Sequence, residues 1–341
     1  MKHFDLFSGY GGFSLALEKV YGNNTSSEKQ MPEQKSLQSD GDLLHSTSEG
    51  NGEDRNEHAT TIGFSEIDKY ASAVLKYHWP NTKNYGDITK INWSEVPDFD
   101  LLTGGSPCQD LSIAGKRAGL EGARSGLFYE YMRAVKEKRP KYFIWENVKG
   151  ALSSNKGLDL GAVLNEMAKE GYSLWWQVLN AKDFSVPQNR ERIFVVGFRD
   201  GSPREIFFER GNNEEVSSKV HPCIDANYYK GHSNQRQMME IKQLNNPKHS
   251  NDRIYSEEGI SPSLNTAQGG NRQPFIDKPP RIRRLTPTEC ERLMGLPDNW
   301  LKYGIDEKGN QFEVSDSQKY KMAGNGVVVN VVEELIKQII L

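Results

Sequence analysis

KHFDLFSGYGGFSLALEKV, residues 2–20, divides into three pieces with different physics. KHFDLF reads as a strand, SGYGG as a glycine turn, and FSLALEKV as a helix with apolar residues at helical spacing. In that order they make a strand–turn–helix unit. Gly9, Gly11 and Gly12 let its backbone approach a ligand closely, and the helix N-terminus offers unpaired amides. Such units place an acid at the end of the next strand, roughly 20 residues on, where it meets ribose hydroxyls. The candidate is Glu66 in GFSEID, which stands too far away. The intervening residues 23–59 hold no Phe, Trp or Tyr and are rich in Ser, Gln, Asn, Glu and Gly. Such a composition does not bury enough apolar surface to offset its ordering entropy, so the stretch is expected to be a flexible surface insertion. Without it the interval returns to roughly 20 residues.

Outward from this unit, TIGFSEI reads as a strand and DKYASAVLKYHW as a helix, PDFDLLTGG as a strand and GLFYEYMRAVKEKRP as a helix. KYFIWENV, SLWWQVL and RIFVVGF are further strands, with GAVLNEMAKEGY a helix among them. This alternation predicts a doubly wound, Rossmann-like α/β domain with a mostly parallel sheet and helices on both faces. After Arg199 the rhythm breaks into polar, loop-rich sequence. The expected organisation is a catalytic domain at 1–199 carrying the insertion, a smaller irregular domain at 200–300, and a segment at 301–341 that returns to the first. TPTECERLMGLP suits a helix capped by Thr286 or Thr288 with Pro287 in its first turn, and NVVEELIKQIIL an amphipathic helix packed on the first domain.

Composition narrows the function. The three cysteines, at 108, 223 and 290, show no CxxC spacing, which argues against a disulfide framework or a thiolate zinc site. None of the seven histidines falls in a metal motif, and HExxH and the P-loop are absent, so no metal is expected. No run approaches 18 apolar residues and no secretory h-region opens the chain; a soluble cytoplasmic protein is expected, with no membrane contact. The net charge of −3 hides a division: residues 22–60 hold three basic against eight acidic side chains, whereas 219–292 hold twelve against eight. A mildly cationic second half permits a phosphate-binding surface.

Cys108 sits in GGSPCQDLS, residues 104–112, behind turn formers at a strand end rather than inside an apolar run. Glu146 in WENV ends another strand, and Arg190 and Arg192 in QNRERI precede a third. Open parallel sheets gather ligands beyond their strands' C-terminal ends, so these groups can converge. A thiol is a soft nucleophile, a carboxyl can donate a proton, and a guanidinium can orient a polar ring. Cys-His hydrolysis competes with cofactor-assisted group transfer, and the residues alone do not name the transferred group.

In sequence order, FDLFSGYGG, GFSEID, GDIT, GGSPCQDLS, WENVKG, QNRERIFVVGF, RLTPTECERLMGLP and KMAGNGVVVNVV resemble the successive motifs of the cytosine-C5 DNA methyltransferases, of bacterial or phage restriction-modification type. The resemblance implies S-adenosylmethionine as methyl donor, converted to S-adenosylhomocysteine. Its site would comprise Phe7, Gly9, Gly11, Gly12, Glu66, Ile67, Asp87, Ile88, Asn325 and Val327. It further implies that Cys108 attacks C6 of a flipped cytosine, that Glu146 contacts N3 and the exocyclic amine, and that Arg190 and Arg192 clamp the base. Pro107, Gln109, Ser112, Asn147 and Gln188 would line the substrate side. The implied partner is double-stranded DNA bound by a monomer, with a cognate restriction endonuclease acting separately. A tRNA cytosine-C5 methyltransferase and a catalytically weak DNA-binding protein are the alternatives.

Overall fold

A computed structural model of the chain describes residues 1–22, 59–107, 126–152, 158–201, 241–247, 249, 252–266, 273–278 and 281–340. A seven-stranded sheet carries β1 (Lys2–Leu6), β2 (Thr60–Ser65), β3 (Lys83–Asn84), β4 (Leu101–Gly104), β5 (Tyr142–Val148) and β6 (Ser173–Asn180). The two-residue β7 (Gln188–Asn189) lies outside it, and β8 (Glu191–Phe198) completes it in the order β3-β2-β1-β4-β5-β8-β6. The first five strands are parallel, as expected, but β8 runs antiparallel to both β5 and β6. The reason is chain length. A parallel return needs a crossover of roughly a dozen residues or more, and only residues 181–190 separate β6 from β8.

Helices cover both faces. On one, α1 (Gly12–Val20) and α2 (Lys69–His78) are joined by the final helix, while α3 (Gly126–Lys138) and α4 (Leu158–Lys169) pack on the other. β8 shows why its sequence is continuously apolar: Phe194, Val196 and Phe198 enter the first core, and Ile193 and Val195 the second. A two-residue period between two covered faces demands apolar side chains at every position. In α3, Phe128, Tyr131, Met132 and Val135 form the buried stripe; in α4, Leu160, Val163 and Met167 do so.

Beyond the sheet, β9 (Ile254–Ser256), β11 (Phe275–Lys278) and β12 (Arg281–Arg284) form a small three-stranded sheet, and β10 (Ser261–Pro262) pairs in parallel with β7. Thr286 caps α5 (Pro287–Leu293) through a reciprocal box with Glu289, and Pro287 occupies its first turn. The hairpin of β13 (Tyr303–Ile305) and β14 (Gln311–Glu313) leads to α6 (Asp316–Asn325) and α7 (Val329–Ile340). Val332, Leu335, Ile336 and Ile339 lay the apolar face of α7 in the first core, where α7 packs on α1.

A polar chain crosses the sheet beneath the glycine turn. Thr103 donates its only hydroxyl proton to Asp5 (2.8 Å), so its oxygen accepts from His3 Nε2 (2.7 Å), which leaves His3 Nδ1 to accept from Thr61 (2.9 Å). Burial lowers the His3 pKa from 6.5 to about 3 and raises that of Asp5. Below pH 6.5 the unfolded chain takes up a proton that the folded one refuses, so this part of the stability is whole above pH 6.5 and is lost as pH falls toward about 3. A His3→Gln protein removes that titration. Thermal melts followed by circular dichroism should show a shallower acid-side decline than wild type, which loses up to about 1.4 kcal/mol per pH unit from this group.

Candidate active site

The parallel strands β1, β2, β4 and β5 all end at one edge of the sheet, and the antiparallel β8 begins there. This edge holds a cleft of about 720 Å³ that brings together Phe7, Gly9, Gly12, Glu66, Ile67, Asp87, Ile88, Pro107, Glu146, Asn147, Arg190, Arg192, Asn325 and Val327.

The turn after β1 is held open by unusual backbone. Phe7, Gly9 and Gly11 have φ of 53°, 54° and 82°, and Gly11 begins α1 in the left-handed region. A methyl group on Gly12 would come within 2.9 Å of Val327 Cγ1, so the turn and the C-terminal segment meet closely there. Glu66 fixes the turn from β2: one carboxylate oxygen accepts from the Gly9 amide and the other from the Asp68 amide, both at 2.7 Å. Burial raises the Glu66 pKa, against these amides. With about four acceptor positions, the carboxylate keeps capacity for a ligand's hydroxyl beyond these amides. Ile67 presents an apolar side chain 77% exposed, suited to cover an aromatic ring. Asp87 accepts from the Thr89 amide and hydroxyl through one oxygen, which holds its carboxyl below the usual range. These donors, acceptors and the cradle at Gly12 fit a nucleoside-bearing methyl donor. Ile88 is 3% exposed and belongs mainly to the second core.

On the facing side, strand register explains the central ion pair. Glu146 lies opposite Phe194 and Val148 opposite Arg192, so Glu146 and Arg192 are diagonal neighbours on one face of an antiparallel ladder. Arg192 Nε stands 3.1 Å from Glu146 Oε1. Burial raises the Glu146 pKa, and Arg192 and Arg190 oppose the rise. Beside it, Asn147 donates to the Ser106 carbonyl (2.9 Å) and Trp145 to the Ser106 hydroxyl (3.1 Å), which anchors the segment just before Pro107. Gly105 leaves room for the acid: a Cβ there would stand 2.6 Å from Glu146 Oε2. Gly105→Ala should therefore displace the carboxyl and lower turnover by about 10²-fold with the fold retained, as measured by steady-state methyl transfer and a thermal melt.

Arg190 and Gln188 are placed differently from Arg192. Arg190 is 3% exposed and donates to the carbonyls of Leu264, Gly324 and Gly326 at 3.2, 3.0 and 2.7 Å. Gln188 is fully buried away from the cleft wall, donating to the Leu293 carbonyl and accepting from the Leu264 amide. Both tie later segments to the start of β8. Tyr10 adds a contact that the glycine pattern concealed: its hydroxyl donates to the Val327 carbonyl at 2.6 Å, beneath the cleft. Lys321, at the start of the KMAGNGVVVNVV motif, and Leu264, Asn265 and Thr266 also line the cleft, a placement that the sequence did not assign to any of them individually. Cys108, Gln109 and Ser112 lie outside the described residues, as does most of the 23–59 stretch. Among the described residues no group of three or more His, Cys, Asp or Glu is arranged to hold a metal, and no helix is long and apolar enough to cross a membrane.

Residues 50–341 match the family model for C-5 cytosine-specific DNA methylases. The chain is 32% identical over 353 residues to the Type II methyltransferase M.HhaI of Haemophilus parahaemolyticus, covering 98% of this chain and 92% of that one. It is 27% identical over 406 aligned positions to the orphan methyltransferase M.SPRI of Bacillus phage SPR, covering 82% and 91%. In three dimensions it is similar to the Entamoeba histolytica methyltransferase EhMeth, with a TM-score of 0.63 at 16% identity over 99% of this chain and 97% of that one. That last likeness speaks to the fold; the sequence matches carry the family. The chain belongs to the C-5 cytosine-specific DNA methylases.

Proposed function

We propose that the protein is a site-specific DNA (cytosine-5)-methyltransferase in which Cys108 and Glu146 act on a cytosine flipped out of the duplex. As a family member it is an S-adenosylmethionine-dependent cytosine-C5 methyltransferase. The observation that carries the residue assignment is the convergence of Glu146, Arg192 and Pro107 with the Phe7–Gly12 turn in one cleft.

Cytosine C5 is a weak nucleophile until a group adds at C6, and both carbons are out of reach of such a site inside a duplex, so the base must leave the stack. The Cys108 thiolate forms a bond to C6 while the Glu146 carboxyl holds a proton at N3, so electron density moves toward C5 rather than accumulating as charge on the ring. The raised pKa of Glu146 suits a group that carries its proton into this step. Arg192 holds the carboxyl in place from the neighbouring strand. When bound, S-adenosylmethionine supplies an electrophilic methyl group from a sulfonium centre and departs as S-adenosylhomocysteine. Glu66 would receive the ribose hydroxyls, Ile67 and Ile88 the adenine faces, Asp87 its amino group, and Asn325 and Val327 would close the site. A base then removes the C5 proton, and elimination of the Cys108 thiolate restores the aromatic ring.

Catalytic and donor-binding groups fall in 1–199, target recognition in 200–300, and the return at 301–341 completes the donor site. Arg283 pairs with Glu289 at 2.7 Å, so it supports the junction with α5. Asn147 acts by positioning the Ser106–Pro107 segment, and Gln188 by holding the recognition side to β8. The protein works as a monomer in the cytoplasm, with any restriction endonuclease acting apart. Expression in a methylation-free host followed by single-base 5-methylcytosine sequencing should show one short motif modified throughout the genome. Unmodified DNA alongside labelled tRNA in a parallel methyl-donor assay would contradict the DNA assignment.

A further inference from the structure

We propose that Lys321 and Asp68 are positioning residues that strap the donor site shut and set how long the spent donor stays bound. The inference rests on reading the cleft as the site of S-adenosylmethionine.

Asp68 divides its carboxylate between two tasks. Oδ1 accepts from the Tyr70 and Ala71 amides and caps α2, while Oδ2 stands 2.6 Å from Lys321 Nζ. The amide of Asp68 donates to Glu66, whose other oxygen accepts from Gly9. Lys321, in α6, lies four residues before Asn325, at the other side of the cleft. The ion pair therefore joins the glycine turn, the acid that faces the ribose and the C-terminal segment into one ring around the opening.

Among the described residues, three ties hold the C-terminal segment in this ring, and they differ in their access to water. Tyr10 on the Val327 carbonyl is 1% exposed, and Arg190 on the Gly324 and Gly326 carbonyls is 3% exposed. Lys321 and Asp68 side chains are 34% and 29% exposed. Water and salt compete with an ion pair at that exposure far better than with a buried hydrogen bond. The floor of the site stays fixed and the rim is the part that can part. The Lys321 charge faces the Asp68 carboxylate, which in turn adds to the rise in the Glu66 pKa.

The test uses the full chain, S-adenosylhomocysteine as probe, and three proteins: Lys321→Gln, Asp68→Asn and the double variant. Asparagine keeps an oxygen for the α2 cap, so Asp68→Asn separates the strap from the cap. Stopped-flow displacement should show release faster by roughly 3- to 10-fold in each single variant and no faster in the double. Added salt should speed release from wild type and leave the variants nearly unchanged. Equal release rates in wild type and variants, additive effects in the double, or identical salt slopes would overturn the strap, as would a fall in thermal midpoint without a change in release. Wild type that fails to bind S-adenosylhomocysteine would instead remove the donor-site reading, and the strap with it.

Discussion

A Cys108→Ala protein is expected to lose methyl transfer by roughly 10³-fold or more while still binding S-adenosylmethionine. The expectation follows from the chemistry of the ring. Without addition at C6 nothing drives electron density to C5, so the remaining groups can hold the substrate but have no bond to make. Pro107, the residue before Cys108 in sequence, lies in the cleft with Glu146, and the preceding Ser106 is anchored by Asn147 and Trp145. Donor binding is assigned to the Phe7–Gly12 turn, Glu66 and the Asn325–Val327 segment, all of which keep their own residues in this variant. Isothermal titration with S-adenosylhomocysteine beside a labelled-methyl assay separates the two properties. Loss of both together would mean that the substitution disturbed the fold.

Glu146→Gln is expected to lower single-turnover methylation by about 10²- to 10⁴-fold, with donor affinity retained. Glutamine preserves the volume of the side chain and a partner for Arg192, yet it has no acidic proton to hold at N3. The pH dependence gives a second readout. Burial raises the Glu146 pKa, and Arg192 opposes the rise, so the wild-type rate should decline on the alkaline side as this carboxyl ionises. An Arg192→Met protein lacks the opposing charge, which moves that decline to higher pH even as misplacement of the carboxyl lowers the rate. The Glu146→Gln protein should lack the decline altogether. An unchanged pH profile in Glu146→Gln would assign the titration to another group.

Much of the fold was legible because each element obeyed one period. Phe128, Tyr131 and Val135 repeat as a helix does, and the unbroken RIFVVGF run announces a strand covered on both faces. The direction of β8 was not legible, since apolar periodicity carries no sign. Only the ten residues between β6 and β8 forbid a helical crossover, and they matter once the strands are known to be neighbours. The same reversal explains why residues preceding a strand reach an edge otherwise built from strand ends.

At the site, turn glycines, Glu66 and Glu146 could be read because their residue types are tied to local chemistry. The division between Arg190 and Arg192 could not. Two positions apart in sequence, one guanidinium meets a carboxylate and the other meets main-chain carbonyls from segments more than 70 residues away. The partner of Lys321 was not legible for a related reason: the residue opens the KMAGNGVVVNVV motif, but a lysine on a polar helix reads as solvated until Asp68 is placed beside it. Tyr10 stood inside the quoted glycine turn, but its partner is a carbonyl 317 residues on.

The most direct measurement is a covalent trap. Duplex DNA carrying 5-fluorocytosine at the methylated position has no C5 proton to lose, so the elimination that frees the enzyme is blocked. Incubation with this DNA and S-adenosylmethionine should yield a denaturation-resistant complex, and mass spectrometry of its digest should place the nucleotide on Cys108. The Cys108→Ala protein should form none. Attachment at another residue, or methylation of DNA by the Cys108→Ala protein, would contradict a mechanism that begins at this thiol.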